Sequence, residues 1–218
     1  PCGERPLYRA VFGLASRPAP PETVSGDACR QFCDSAGRAQ MLLCDGMGTG
    51  KPAAVDGQMA AKLTAQLLQA GFAAESAARL VNVALGLKNA GQESGATLDL
   101  LTLDLYTGRA GLFKAGAAPS FLCRAGVVRT LDGASLPMGV LPTVTGRSTA
   151  LTLDVGDTVM MVSDGALCDG SAWLTLSTRL GQSPQQTAEA VAASAVRRSG
   201  ARQDDITVAI VRLERQKS

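Results

Sequence analysis

The 218-residue chain reads as an α+β layered domain. Three observations predict it. Strand-like runs open the chain, two helical stretches follow, a long series of strands comes next, and a helix and a strand close it. The strands are short and separated by turn pairs such as TG, AG, DG and VGD, which favours antiparallel neighbours. Runs such as LDLLTLDL are apolar on both faces, so both sides of the sheet should be covered.

Taken in order, LYRAVFGLAS (7–16) is a strand that ends in the proline-rich turn PAPPETVSGD. CRQFCDSA (29–36) and RAQMLLCD (38–45) form a hairpin about Gly37. The glycine-rich loop GMGTGKP (46–52) follows. Val55, Met59, Leu63, Leu67 and Ala70 then recur at helical spacing, with Gly71 as the stop. A second helix spans 76–89, with Ser76 as its N-cap and an end near Gly91. ATLDLLTLDLY, GLFK, SFLCR, VVRTL, TGRSTALTL and DTVMMVSD read as a meander of strands. A short helix is expected over Leu174 to Leu180, and a longer one over Ser183 to Ser199 with Pro184 at its first position. ITVAIVRLE is the last strand. No internal repeat or low-complexity linker divides the chain, so residues 1–218 form one domain.

Composition excludes several classes. A net charge of +2, from 21 basic and 19 acidic residues, gives no strong field for nucleic acid, and a 4% aromatic share supplies few stacking platforms. No apolar run approaches the roughly 18 residues of a membrane span, so no membrane contact is expected within this chain. Six cysteines without a CxxC pair, and no histidine at all, argue against structural zinc. Reduced thiols in a cytoplasm are the expectation. The chain opens at Pro1, which reads as the C-terminal part of a longer protein whose missing region could carry a membrane anchor.

Four aspartates carry the chemistry. Asp27 (VSGDA), Asp45 (LLCDGMGTG), Asp164 (MMVSDGALCDG) and Asp204 (RQDDITVAIV) each lie in a short motif at the end of a strand. Singly, each could be an ordinary turn residue. Together, beside a glycine-rich loop, they point to carboxylates meeting in one cleft, an arrangement that cations make tolerable. Hard oxygen ligands favour Mg²⁺ or Mn²⁺ over zinc or copper.

Two other motifs compete. The glycine-rich loop is not a nucleotide P-loop, because Asp45 and Pro52 stand where the first glycine and the Ser or Thr belong. Its backbone can still approach an ion, with Gly46 lending its carbonyl. Cys123-Arg-Ala-Gly-Val-Val-Arg129-Thr130 matches the cysteine-phosphatase pattern, in which a thiolate attacks phosphorus and the arginine clamps the phosphate. That chemistry needs a strand, a phosphate cradle and a helix. Here the segment reads as a strand, an Ala-Gly turn and a second strand.

VSGD, LLCDGMGTG, ATLDL, KAGAAPSFL, SLPMGVL, MMVSDG and DDITV, in this order from about Val24 to Leu213, resemble the metal-dependent protein phosphatases (type 2C), in the bacterial branch of stage II sporulation protein E. The DDIT pair departs slightly from the DN-[IM]-[ST] of eukaryotic members. The resemblance implies a four-layer αββα sandwich of two mainly antiparallel sheets flanked by helix pairs. It implies a two-metal centre of Mn²⁺ or Mg²⁺ at one edge. Asp45 would bridge both ions, Gly46 would lend its carbonyl, Asp27 would act mainly through water, and Asp164 and Asp204 would complete the other site. Asp204, not Asp205, aligns with the motif's first aspartate. Two ions about 3.5–4 Å apart would activate a water for in-line attack on phosphoserine or phosphothreonine, with no side chain catalytic by itself. The implied substrate is a phosphorylated anti-sigma-factor antagonist in partner-switching control of sporulation or stress, with homodimerisation and upstream segments as regulators. A cysteine-dependent phosphatase, a non-catalytic binding module and a metal nuclease are the other readings.

Overall fold

The computed structural model describes residues 5–48, 50–88, 95–167, 183–199 and 204–216. Ten strands form two five-stranded sheets. One sheet has the order β1 (Tyr8–Arg17), β10 (Ile206–Arg215), β9 (Thr158–Val162), β6 (Ser120–Arg124), β7 (Val127–Leu131). The other runs β2 (Asp27–Cys33), β3 (Arg38–Asp45), β4 (Leu98–Asp104), β5 (Arg109–Ala115), β8 (Arg147–Thr152). All of these pairings are antiparallel.

The two-residue period of a strand divides each sheet into two faces, and the core follows that division. Met41, Leu43, Leu101, Leu103, Leu112, Leu122, Met161, Ala209 and Val211 fill the layer between the sheets. The alternate residues Leu42, Cys44, Leu98, Leu100 and Phe113 face outward under α1 (Gly50–Gln69) and α2 (Ala74–Lys88). Phe121, Met160, Val208 and Ile210 face outward under α3 (Pro184–Arg198). The layers are therefore helices, sheet, sheet, helix, the αββα sandwich expected. The predicted helix over Leu174 to Leu180, which would pair with α3, lies outside the described residues, as do Cys168 and Asp169.

Local chemistry explains three boundaries. Ser183 caps α3 in a reciprocal capping box with Gln186, and Pro184 opens the helix. Gly71 (φ 91°) ends α1, where its N–H and that of Phe72 reach back to Leu68 and Leu67. Gly37 (φ 74°) turns the β2–β3 hairpin.

Three expectations need correction. The buried stripe of α1 is not Val55, Met59, Leu63, Leu67 and Ala70 but Ala53, Ala54, Asp56, Gly57, Ala60, Ala61, Thr64, Ala65 and Leu68; Val55 is 52% exposed. Small residues let the helix lie close to the sheet. α2 begins at Ala74, so Ser76 lies within its first turn, where its hydroxyl accepts from Arg79. The strands after α2 do not form one meander. β5 pairs with β8, while β6, β7 and β9 belong to the opposite sheet. The crossing after β5 bends at Gly116 (φ 66°), where a Cβ would lie 2.5 Å from the Pro137 nitrogen.

Candidate metal centre

Strand parity brings the acids together. Cys29 packs in the inter-sheet layer, so Asp27, two residues earlier on β2, faces the same layer. Asp45 shares the face of Leu43 on β3, and the register sets Asp27 directly opposite Asp45. Asp164 opens a 3-10 turn immediately after β9. Asp204 and Asp205 precede β10, next to β9 in the same sheet. Five carboxylates thus gather at one end of the sandwich, where the strand ends of both sheets meet.

Their electrostatics show how close they are. Burial, then the charges of Asp164, Asp204 and Asp205, push the Asp45 carboxyl up to about 7. Burial, then Asp45 and further off Asp205, hold the Asp27 carboxyl well above its ordinary range, partly offset by the Thr207 and Ser163 hydroxyls. Ser163 donates its hydroxyl to the Asp205 carbonyl at 3.1 Å, and Thr207 Oγ1 lies 2.9 Å from Ser16 Oγ. Among the described residues, both Asp27 oxygens are buried without a hydrogen-bond partner. Asp164 is raised by burial and by Asp204, and the Gly165 N–H on its Oδ1 partly offsets this.

Backbone packing holds the acids in place. Asp45 donates its N–H to Thr97 Oγ1 at 2.9 Å and accepts the Thr97 N–H at 2.8 Å. Gly46 donates to the Gly26 carbonyl at 3.2 Å, and a Cβ on Gly46 would lie 1.9 Å from the Ala53 carbonyl. A Cβ on Gly57 would come within 2.1 Å of the Gly26 carbonyl. The N-terminal half of α1 is thereby seated on the backbone that carries both Asp27 and Asp45. Asp205 is fully engaged, accepting from Ala19 N–H at 2.7 Å and Gly26 N–H at 2.6 Å. Exposed Asp204 accepts, among the described residues, only the N–H of its neighbour Asp205.

The donor set suits hard divalent cations: carboxylates and a backbone carbonyl, with neither thiol nor imidazole. Two buried, unpartnered Asp27 oxygens and a mutually repelling group around Asp45 mark a place where positive charge is wanted. The acids face one another without yet forming a cage. Among the described residues no three Asp, Glu or Cys side chains converge as a ligand set. Asp164 and Asp204 each accept a local N–H, from Gly165 and Asp205.

Cys123 is part of β6, opposite Val128 of β7, and the hairpin between them turns at Ala125 (φ 48°) and Gly126 (φ 80°). No helix follows it, so the cysteine-phosphatase cradle does not form. Among the described residues no helix is long and apolar enough to cross a membrane.

Asp99, Lys114 and Ser120 are not among the residues that the sequence motifs single out. All three are buried in the inter-sheet layer. Charges set inside the apolar strands LDLL and LFKA were the available signal.

A family profile described as Stage II sporulation protein E (SpoIIE) matches residues 35–214. Stage II sporulation protein E of Bacillus subtilis (strain 168) is 28% identical over 222 residues, covering 97% of this chain and 27% of that protein. The chain thus spans about a quarter of that relative. The solved PP2C phosphatase domain of SpoIIE from Bacillus subtilis, with a fragment of its regulatory domain, superposes with a TM-score of 0.86 at 28% identity, over 98% of this chain and 66% of that one. RsbX in complex with magnesium shares the fold at a TM-score of 0.76 and 18% identity, covering 97% and 98% of the two chains.

Proposed function

The chain belongs to the stage II sporulation protein E family, and on that premise we propose that it removes phosphate from phosphoserine or phosphothreonine of a protein. The observation that carries this reading is the facing pair Asp27 and Asp45, buried opposite one another in register and joined by Asp164 and Asp204 at the same end of the sandwich. Asp27, Asp45, Asp164, Asp204 and the Gly46 carbonyl would hold two divalent cations, Mg²⁺ or Mn²⁺. Such cations, when bound, activate water and stabilise the charge of a phosphoryl group in flight.

The residues of the chain then divide the remaining tasks. Asp45, opposite Asp27 and within the field of Asp164 and Asp204, would help to hold the cations together with both. Asp205 holds the loop before β2 through Ala19 and Gly26, which orients Asp27. α1, seated on Gly26 and Gly46, fixes the glycine loop. No side chain serves as a nucleophile, and the cysteines are dispensable.

The substrate that family resemblance suggests is a phosphorylated anti-sigma-factor antagonist of a partner-switching pathway in sporulation or stress. Homodimerisation, a cytoplasmic setting and control by upstream segments, including a membrane anchor, belong to the same reading. Near-neutral charge supports a protein substrate over nucleic acid.

The test is hydrolysis of a phosphoserine peptide in Mn²⁺, in Mg²⁺ and in EDTA, by wild type and Cys123→Ser. Turnover with either cation, abolished by EDTA and kept in Cys123→Ser, is expected. EDTA-resistant turnover that vanishes in Cys123→Ser would transfer the chemistry to the thiol. Tight cation binding with no turnover of any phosphopeptide would make this a binding module.

A further inference from the structure

Beside the acidic rim lies a cavity of about 160 Å³, lined by Asp45, Asp164, Asp99, Leu43, Val162 and the 116–118 loop. It is roomy enough for a short chain of waters. One lining residue, Asp99, belongs to a charge group that the phosphatase reading leaves without a role. Asp99 of β4 lies opposite Lys114 of β5 in register, and Ser120 of β6 joins them from the other sheet. Asp99 Oδ2 accepts from Lys114 Nζ at 2.5 Å and from the Ser120 hydroxyl, while Lys114 Nζ also reaches Ser120 Oγ at 2.7 Å. Lys114 is 2% exposed, Asp99 1% and Ser120 0%. The other oxygen, Asp99 Oδ1, is buried without a hydrogen-bond partner.

An apolar triple of the same shape would knit the two sheets together at least as well, since burying an ion pair gains little or no stability. A charged group retained here, with one Asp99 oxygen unspent and Asp99 in the wall of a cavity it shares with Asp45 and Asp164, invites a chemical role. The chain also lacks histidine altogether, so the usual proton donor for a departing alkoxide is missing.

Resting on the phosphatase reading, we propose that Asp99, backed by Lys114 and Ser120, relays the proton that the leaving seryl or threonyl oxygen requires. With Oδ2 already accepting twice, the relayed proton rides on Oδ1. When the P–O bond breaks, its electron pair passes to the substrate oxygen, which takes a proton from cavity water. That water is reprotonated by Asp99. Donation leaves an Asp99 carboxylate already paired with the Lys114 ammonium and the Ser120 hydroxyl, so the conjugate base is stabilised where it forms. The proton shed by the attacking water returns along the same solvent to Asp99, and no external acid is consumed. Asp99 touches no reacting atom; it acts through solvent. Burial favours the protonated carboxyl, with Lys114 and Ser120 opposing it in part.

The test separates leaving groups. A p-nitrophenolate departs without a proton, whereas a seryl oxygen does not. In Mn²⁺, Asp99→Asn should lower kcat for a phosphoserine peptide on the order of a hundredfold. Its kcat for p-nitrophenyl phosphate should stay within about threefold of wild type, as should its Mn²⁺ affinity by calorimetry. Equal losses on both substrates would reduce the triad to a structural support and overturn the relay. So would an unchanged phosphoserine rate. If Asp99→Asn does not fold, wild type alone decides: across aryl phosphates and phosphoserine, a shallow dependence of kcat on leaving-group basicity supports the relay, and a steep one refutes it. Wild type inert toward every phosphomonoester would refute the underlying phosphatase reading instead.

Discussion

Two acid groups lie on the same inter-sheet face of neighbouring strands, and the fold treats them in opposite ways. Asp99 is given Lys114 and Ser120, so its charge is answered by the chain itself. Asp27 and Asp45, at the ends of β2 and β3, are given only each other and further acids. A buried carboxylate without a counter-charge is costly, and further acids at the same end of the sandwich add to the cost. On the proposed reading the second group is tolerated because it lies at the rim, where cations would neutralise it. The interior group carries its partners, Lys114 and Ser120, within the chain. A partner built into the chain marks a group that serves from within, and a missing one marks a group that binds from without.

The sharpest way to break this contrast is to remove one member of the rim. Asp45→Ala or Asp164→Ala should bring phosphopeptide turnover to background, a larger loss than the roughly 10–100-fold typical of outer residues of a metal site. Circular dichroism should stay native, since removing a repelling carboxylate does not harm the fold. Full activity in either variant would refute the assignment. The interior group should respond in the reverse sense. Lys114→Met leaves the buried Asp99 carboxyl short of a donor and should cost about 1–3 kcal/mol in urea unfolding, whereas Asp99→Leu combined with Lys114→Met should recover most of it. A double variant as unstable as the single one would mean that the pair is not self-compensating.

The rim also predicts a pH signature in EDTA. Asp45 takes a proton at about 7 in the folded chain against 3.8 for the free side chain. Between those values the folded state binds more protons than the unfolded one, so stability must fall as pH rises through that window. Asp27, also raised, adds to the slope in the same direction. Chemical denaturation from pH 4 to 8 should show the decline, and Asp45→Asn should flatten it. Millimolar Mn²⁺ should restore stability at pH 7 in wild type and much less in the variant. Stability that rises with pH in EDTA would contradict the account of repulsion.

The rim was legible in the sequence and the interior group was not, for a physical reason. Asp27, Asp45, Asp164 and Asp204 each end or begin an apolar run, and glycines beside Asp27, Asp45 and Asp164 announce a tight turn; local chemistry suffices to single them out. Asp99 gains meaning only when β4 and β5 pair in the register that sets it opposite Lys114, and Ser120 arrives from the other sheet. Alternation reveals that a strand exists but not which sheet receives it, which is also why the expected meander dissolved into two sheets. On α1, side-chain size marks only the flank of the buried face: Leu63 and Leu67 pack partly buried against the core, while close backbone approach at Gly46 and Gly57 requires the alanine and glycine stripe to face inward.

The finest version of the contrast lies within one dipeptide. Asp204 and Asp205 are adjacent acids, but Asp205 spends its two oxygens on Ala19 and Gly26 while Asp204 spends one on a local N–H. Asp205→Asn offers an amide where one N–H needs an oxygen, so it should cost about 1–3 kcal/mol. Asp204→Asn, exposed and locally bonded, should change stability by no more than about 0.5 kcal/mol. Calorimetry should show the opposite order for the cation: Mn²⁺ affinity should collapse in Asp204→Asn and weaken only moderately in Asp205→Asn, through the loosened loop that carries Asp27. If Asp205→Asn removes Mn²⁺ binding and Asp204→Asn keeps it, the two residues exchange roles, and the loop clamp at Ala19 and Gly26 becomes the ligand.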